Sequence, residues 1–154
     1  MEPRLPYARL SPALYRAYLA MSNAAGASGL ELPLLELVKI RASQTNGCAF
    51  CLDMHTKDAR AAGESEQRLY LLSAWREAPF YTDRERAALA WTEALTLVSE
   101  SQVPDDVYEE AHRHFSDEEL VNLAWAVVAI NGWNRIAIAF RAQAGAYEAK
   151  KKMA

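Results

Sequence analysis

One stretch of the sequence, Glu36–His55, restricts the fold more than any other. Apolar residues recur at helical spacing on both sides of Asn46 and Gly47, two residues that accept left-handed backbone angles and so end helices. We therefore predict a hairpin of two helices. Pro33 opens the first helix, and the second covers about Cys48–Ala62.

This hairpin would bring four reactive side chains together. Each helical residue rises about 1.5 Å and turns about 100°, so Cys48, Cys51 and His55 fall on one face of the second helix. Glu36 lies about 15 Å back along the first helix, and His55 lies about 12 Å down the second. Because the helices are antiparallel, these two side chains should be nearly level. We predict that Glu36, Cys48, Cys51 and His55 form one site.

The rest of the chain continues the helical pattern. Pro12 follows a serine and opens an early helix, after a start that two prolines should keep irregular. Two segments, Thr82–Glu85 and Ser116–Glu119, have the form of a capping box, in which a glutamate reaches back to the cap residue. Gly132 interrupts the last helix and predicts a kink there. No strand-like alternation of polar and apolar residues occurs.

We therefore predict an all-α fold of about seven helices around a central CxxC hairpin. Its 154 residues suit a single domain over residues 1–154, with the motif core at about residues 30–100. A formal charge of −3 shows no basic excess, so we expect no nucleic-acid partner. No apolar run approaches a membrane span and no signal segment opens the chain, so we expect a cytoplasmic protein without a membrane partner.

The Cys48–Cys51 pair has three interpretations. The residues are buried apolar side chains, zinc ligands or a redox pair. A structural zinc site needs four ligands, and His112 and His114 are the other candidates beside His55. Their two-residue spacing turns their side chains about 200° apart, so at most one of them could join. Redox chemistry needs only the two thiols, and we favour it, with no metal and no other cofactor.

The surroundings of both cysteines favour a thiolate. Cys48 lies at a helix N-terminus, and Cys51 has His55 one turn away. By this reasoning either cysteine could attack a peroxide, and the other is close enough to close a disulfide on the resulting sulfenic acid. Glu36 could accept a proton from His55 and make the imidazole a better base.

These residues resemble a known family. The segment Glu36–His55 looks like the core motif of the AhpD-like (alkyl hydroperoxide reductase D) proteins of the carboxymuconolactone decarboxylase superfamily. The resemblance extends through Trp75–Pro79 and Thr82–Ala90 and is seen again, more weakly, at Asn131–Arg135. It therefore covers most of residues 30–140.

The resemblance implies an all-helical protein that assembles into trimers or hexamers and reduces hydroperoxides with thiols. Position by position, Cys51 matches the peroxidatic cysteine, Cys48 matches its disulfide partner, and His55 and Glu36 match members of a proton relay. Phe50 stands where the characterised relay has a further histidine. This departure predicts weaker peroxidase chemistry or a different substrate.

Two other functions are compatible with the family or the residues. One is a decarboxylase or related lyase, but the superfamily members with that activity lack the cysteine pair. The other is a zinc-binding or non-catalytic oligomeric protein.

The chain has no glycine motif for a dinucleotide, so we expect a thiol or dithiol electron donor. We interpret Asn131, Asn134 and Arg135 as structural, and the tryptophans as core or subunit-interface residues. The tryptophans are Trp75, Trp91, Trp125 and Trp133.

Overall fold

The computed structural model describes residues 2–149, and within this range the chain is helical with no strand. The helices are α1 (Tyr7–Leu10), α2 (Pro12–Gly26), α3 (Leu32–Asn46), α4 (Ala49–Ala61), α5 (Glu66–Leu71), α6 (Asp83–Thr96), α7 (Val98–Ser101), α8 (Asp105–His114) and α9 (Asp117–Phe140). A 3₁₀ turn, Leu72–Ala74, follows α5. The predicted all-α fold is confirmed.

Helix α3 lies at the centre of the bundle. It packs against α4, α6 and α9, and Leu35, Leu37 and Ile40 on its surface are completely buried. Gly47 ends the helix in the left-handed conformation, with φ of 70°, and α4 begins two residues later. The predicted hairpin is therefore present, and its two helices pack along each other.

Both predicted capping boxes are formed. The Thr82 hydroxyl accepts from the Glu85 N–H, and the Glu85 carboxylate accepts from the Thr82 N–H, at the start of α6. Ser116 and Glu119 exchange the same two hydrogen bonds at the start of α9. These caps satisfy backbone donors that a helix start otherwise leaves unpaired.

The structure differs from the sequence prediction at two places. The start of the chain is not wholly irregular, because the single turn α1 precedes α2. Helix α9 is continuous through Gly132, and the glycine makes room for Tyr18 of α2, a role that the sequence did not indicate. A Cβ at position 132 would lie 1.8 Å from the Tyr18 hydroxyl oxygen. That hydroxyl donates to the carbonyls of Ala129 and Val128, at 2.9 and 3.1 Å.

Helix α9 is long and apolar enough, by length and composition alone, to cross a membrane. The core helix of a bundle has the same properties, and 44% of the most apolar stretch of α9 is buried within the fold. Leu123, Val127 and Asn134 are among its fully buried residues, and α9 packs against α2, α3 and α6. We therefore describe α9 as a core helix.

Candidate active site

The two cysteines lie together at the start of α4. Cys48 is the N-cap residue, and its sulphur accepts a hydrogen bond from the Cys51 N–H at 3.4 Å. The two Sγ atoms are 2.6 Å apart, both as free thiols. Each cysteine is only 1% exposed. The helix start therefore holds the sulphurs close enough to form a disulfide without a change of fold.

A buried imidazole–carboxylate pair lies one turn further along the hairpin. His55 Nδ1 is 2.9 Å from Glu36 Oε2, and Lys39 Nζ is 2.7 Å from the other oxygen of that carboxylate. His55 and Glu36 are 8% and 5% exposed. Burial tends to raise the pKa of Glu36, but the hydrogen bond and charge of His55, together with Lys39, outweigh it and lower that pKa. Glu36 is therefore ionised, and Nε2 is the ring nitrogen left for proton exchange.

The two thiols titrate as one coupled pair. A hydrogen bond joins the two sulphurs, and an ionised Cys48 accepts it from the Cys51 thiol. This hydrogen bond lowers the pKa of Cys48 to about 7, against the opposing effect of burial. The same hydrogen bond, followed by burial, raises the pKa of Cys51. The pair therefore loses its first proton near neutral pH and keeps the second between the sulphurs. A shift of that shared proton moves the negative charge from Cys48 to Cys51.

A cavity of about 250 Å³ opens onto Cys51 and His55, while Cys48 is not part of its lining. The other walls are mainly aromatic and aliphatic, and include Tyr7, Tyr15, Phe50, Met54, Ile130 and Trp133. Burial, followed by Tyr15 and the two cysteines, raises the pKa of Tyr7, so its phenol stays protonated beside the thiols. A substrate in this cavity would therefore meet the Cys51 sulphur first.

A network of buried amides lies behind the cysteines. Asn46, the last residue of α3, donates to the side-chain oxygens of Asn131 and Asn134 on α9, at 3.0 and 2.8 Å. Asn131 donates in turn to Thr96 at 3.0 Å, and Arg135 donates to Asn131. The predicted structural role of these polar residues is visible here, since the network ties the hairpin to α9.

The C-terminal segment covers the outer side of the relay pair. The Tyr147 hydroxyl donates to Asp58 at 2.7 Å, and burial, followed by this hydrogen bond, raises the pKa of Tyr147 to about 12. The ligand atoms of Glu36, His55 and Asp58 lie within 4.8 Å of one another, a spacing that a metal ion would accept. However, the Lys39 ammonium on Glu36 opposes a cation there.

The predicted zinc candidates on α8 are far from the cysteines. His112 pairs with Asp117 at 2.7 Å, and His114 pairs with Glu110 at 3.1 Å. Asp117 begins α9, and Asn134 behind the cysteines lies roughly 25 Å further along that helix. Neither histidine can therefore join Cys48 and Cys51 around one ion.

The structure brings together all four residues predicted from the sequence, although their catalytic roles remain predictions. The sequence did not indicate that Tyr7 and Tyr15 reach the cavity, because this depends on how α1 and α2 pack against the rest of the fold. Asp58 was not singled out by any sequence motif, and it is partly buried, with a hydrogen bond from Tyr147. Of the tryptophans, Trp75 and Trp91 are buried, Trp133 lines the cavity and Trp125 is 54% exposed.

The fold and the cysteine hairpin define an AhpD-like protein. The chain belongs to the carboxymuconolactone decarboxylase family, whose model matches residues 12–94. It is 44% identical to the uncharacterised protein YdfG of Bacillus subtilis over 139 residues, covering 90% of this chain and 95% of YdfG.

Two solved structures give the same fold. One is a protein of unknown function from Agrobacterium tumefaciens, ATU0492, provisionally assigned to antioxidant defence as an AhpD. It is 49% identical to this chain, with a TM-score of 0.92 over 95% of this chain and 100% of that one. The other is the debrominase Bmp8, 22% identical, with a TM-score of 0.79 over 88% of this chain and 73% of Bmp8. The fold therefore carries more than one chemistry.

Proposed function

We propose that the protein is a thiol-dependent peroxidase that reduces organic hydroperoxides through the Cys48–Cys51 pair. The observation that carries the proposal is the arrangement around the cavity. Cys51 and His55 face it, Cys48 lies 2.6 Å behind Cys51, and Glu36 holds His55 from the far side. The site thus places a nucleophile, Cys51, between a resolving thiol, Cys48, and a base, His55, that Glu36 supports.

The first half of the reaction oxidises Cys51. His55 Nε2 takes the first proton of the dithiol pair, the remaining proton stays on Cys48, and the Cys51 thiolate attacks the outer oxygen of the hydroperoxide. A sulphur–oxygen bond forms, the oxygen–oxygen bond breaks, and the departing alkoxide takes the proton from His55 and leaves as the alcohol. Glu36 stabilises the imidazolium between these two proton transfers. Cys51 is left as a sulfenic acid.

The second half closes the disulfide. Cys48 loses its proton and attacks the Cys51 sulphur, the disulfide forms, the sulphur–oxygen bond breaks, and the hydroxyl of the sulfenic acid leaves with that proton as water. The lowered pKa of Cys48 favours this step at neutral pH. An external thiol or dithiol then returns two electrons to the pair by disulfide exchange. A reducing compartment such as the cytoplasm supplies such donors.

The cavity favours an organic substrate over hydrogen peroxide. Its volume of about 250 Å³ lies just below the roughly 300–1,000 Å³ of pockets for drug-sized ligands, so a compact molecule fits it. Aromatic walls such as Tyr15, Phe50 and Trp133 would bury an alkyl or aryl group. Phe50 adds apolar surface in place of a further relay histidine.

The decisive assay follows hydroperoxide consumption with a dithiol reductant in the protein and in two variants. Cys51→Ser should abolish turnover, because it removes the nucleophile. Cys48→Ser should still react once, leaving a sulfenic acid that a dimedone-type probe traps. Equal activity of both variants and the unaltered protein would rule out the proposal. A zinc measurement on the same samples tests the zinc-binding alternative.

We also propose that the chain associates with copies of itself. An open apolar groove of about 860 Å³ lies between the N-terminal segment and α9, lined by residues such as Leu10, Leu14 and Ile136. Leu14 is 73% exposed. Trp125 of α9 is outside this groove and is a further exposed apolar side chain. Exposed apolar surface of this extent is typical of association sites.

A further inference from the structure

Asn134 lies on the face of α9 that packs towards the cysteine pair. It is completely buried on α9, between Ile130 and Ala137 on the same helix face. Ile130 and Ala137 pack in one cluster with Cys48 and Cys51. Asn134 is therefore a polar side chain set into the apolar layer that encloses the sulphurs.

Two hydrogen bonds fix the orientation of the Asn134 amide. Its oxygen accepts from Asn46 Nδ2 at 2.8 Å, and its nitrogen donates to the Ser43 hydroxyl at 3.0 Å. Ser43 donates its own proton to the Lys39 carbonyl at 2.7 Å, so it can only accept from Asn134. The amide nitrogen keeps a second N–H. Asn134 contributes to the lowered pKa of Cys48, after the larger effect of the Cys51 hydrogen bond, and it opposes the rise in the pKa of Cys51.

We propose that Asn134 is a catalytic residue of the thiol site, whose second N–H donates to whichever sulphur carries the negative charge. This inference deepens the proposed function and rests on it. It gives a catalytic role to Asn134, a residue of the Asn131–Arg135 segment that takes no part in the relay of Glu36 and His55.

The proposed donor acts in two steps of the cycle. Before peroxide attack it stabilises the thiolate that forms the sulphur–oxygen bond. During reduction, a donor thiolate bonds to one cysteine sulphur, the disulfide breaks, and its electron pair leaves on the other sulphur. A second donor thiol then displaces the first cysteine, so that the donor is oxidised and both cysteines are reduced. Asn134 stabilises the leaving thiolate in each displacement.

A neutral amide suits this position better than a charged donor. The site is fully buried, and an uncompensated charge there would be costly. Asn134 supplies donated hydrogen bonds without a charge of its own. Asn131, one turn earlier, provides a matched control, because it belongs to the same amide network but its partners are Asn46, Thr96, Val127 and Arg135 rather than the cysteines.

The test is a pH titration of thiolate ultraviolet absorbance in the full-length reduced protein and its variants. In Asn134→Ser, loss of a hydrogen bond to a charged group should move the first thiol pKa from about 7 to about 8. The rate with cumene hydroperoxide should then fall about fivefold at pH 7 and recover at about pH 9, since the thiolate fraction falls by that factor. Asn131→Ser should leave the first thiol pKa near that of the unaltered protein.

Asn134→Asp serves as a second variant of nearly the same shape, with a carboxylate oxygen in place of the amide nitrogen. It should raise the first thiol pKa further than Asn134→Ser, because it brings a like charge to the thiolate. If the variants fold by circular dichroism and the first thiol pKa does not change, Asn134 is only structural and the proposal is wrong. If the pKa rises as expected but no protein consumes peroxide, the role of Asn134 stands and the peroxidase proposal fails.

Discussion

Replacing Glu36 should matter only while His55 is present. In the structure Glu36 does not line the cavity, and it supports the base through its bond to His55 Nδ1. Glu36→Gln, His55→Ala and the double variant therefore form a cycle that tests whether the pair works as one unit.

The structure sets the expected size of each effect. Loss of a general base costs roughly 10²-fold in rate, which is the expectation for His55→Ala. Glu36→Gln keeps a neutral hydrogen bond to Nδ1 and loses its charge-assisted part, about 1 kcal/mol, or about fivefold in rate. Independent contributions would multiply to about 500-fold. A shared contribution leaves the double variant near the roughly 10²-fold loss of His55→Ala alone.

The assay is the single-turnover rate of cumene hydroperoxide reduction between about pH 6 and 9, a range that spans the lowered thiol pKa. The His55→Ala protein should regain part of its rate as pH rises, because hydroxide then forms the thiolate without a base. Glu93→Gln is the matched control, since Glu93 is also a largely buried carboxylate in ion pairs, with Arg41 and Arg76, but lies outside the cavity. Multiplying losses, or a normal rate for His55→Ala at neutral pH, would refute the relay.

Three further expectations concern packing, thiol ionisation and assembly. Gly132→Ala should lower the free energy of unfolding in urea by about 1–3 kcal/mol, because its Cβ would overlap the Tyr18 hydroxyl. A Cβ at Gly26 would have nothing within 4 Å, so Gly26→Ala should not lower the free energy of unfolding. Equal losses in the two variants would contradict the packing explanation. Iodoacetamide should modify the reduced protein at a rate that rises with pH around a midpoint of about 7. Cys51→Ala should move this midpoint for Cys48 towards 9.0, because the Cys51 hydrogen bond is lost, and an unchanged midpoint would contradict the shared proton. Light scattering in dilute solution should give a mass of several chains, and a mass of one chain would contradict self-association.

The cysteine hairpin was predictable because its determinants are local. One short stretch of sequence contains the helix-ending residues Asn46 and Gly47. It also contains Cys51 and His55 at a spacing of one helical turn. The capping boxes of α6 and α9 are local in the same sense. The burial of Glu36 was left open by the sequence, because it depends on packing between α3, α4 and the C-terminal segment.

The parts of the site that escaped prediction come from contacts between distant residues. Tyr7 and Tyr15 reach the cavity because α1 and α2 fold back over α9, which no local pattern encodes. Gly132 was expected to bend α9, but its close contact with the Tyr18 hydroxyl, more than a hundred residues away in the chain, was not predicted. The placement of Asn134 against Asn46 and Ser43 depends equally on packing between α9 and the hairpin.

The most direct test of the peroxidase proposal is a stoichiometric titration of the reduced protein with cumene hydroperoxide. We expect one equivalent of peroxide to remove two thiols per chain and to yield one equivalent of the alcohol. Mass spectrometry should find the Cys48–Cys51 bond within a single chain. Peroxide that remains unreduced while both thiols persist, or bridges that form only between chains, would contradict the proposed chemistry.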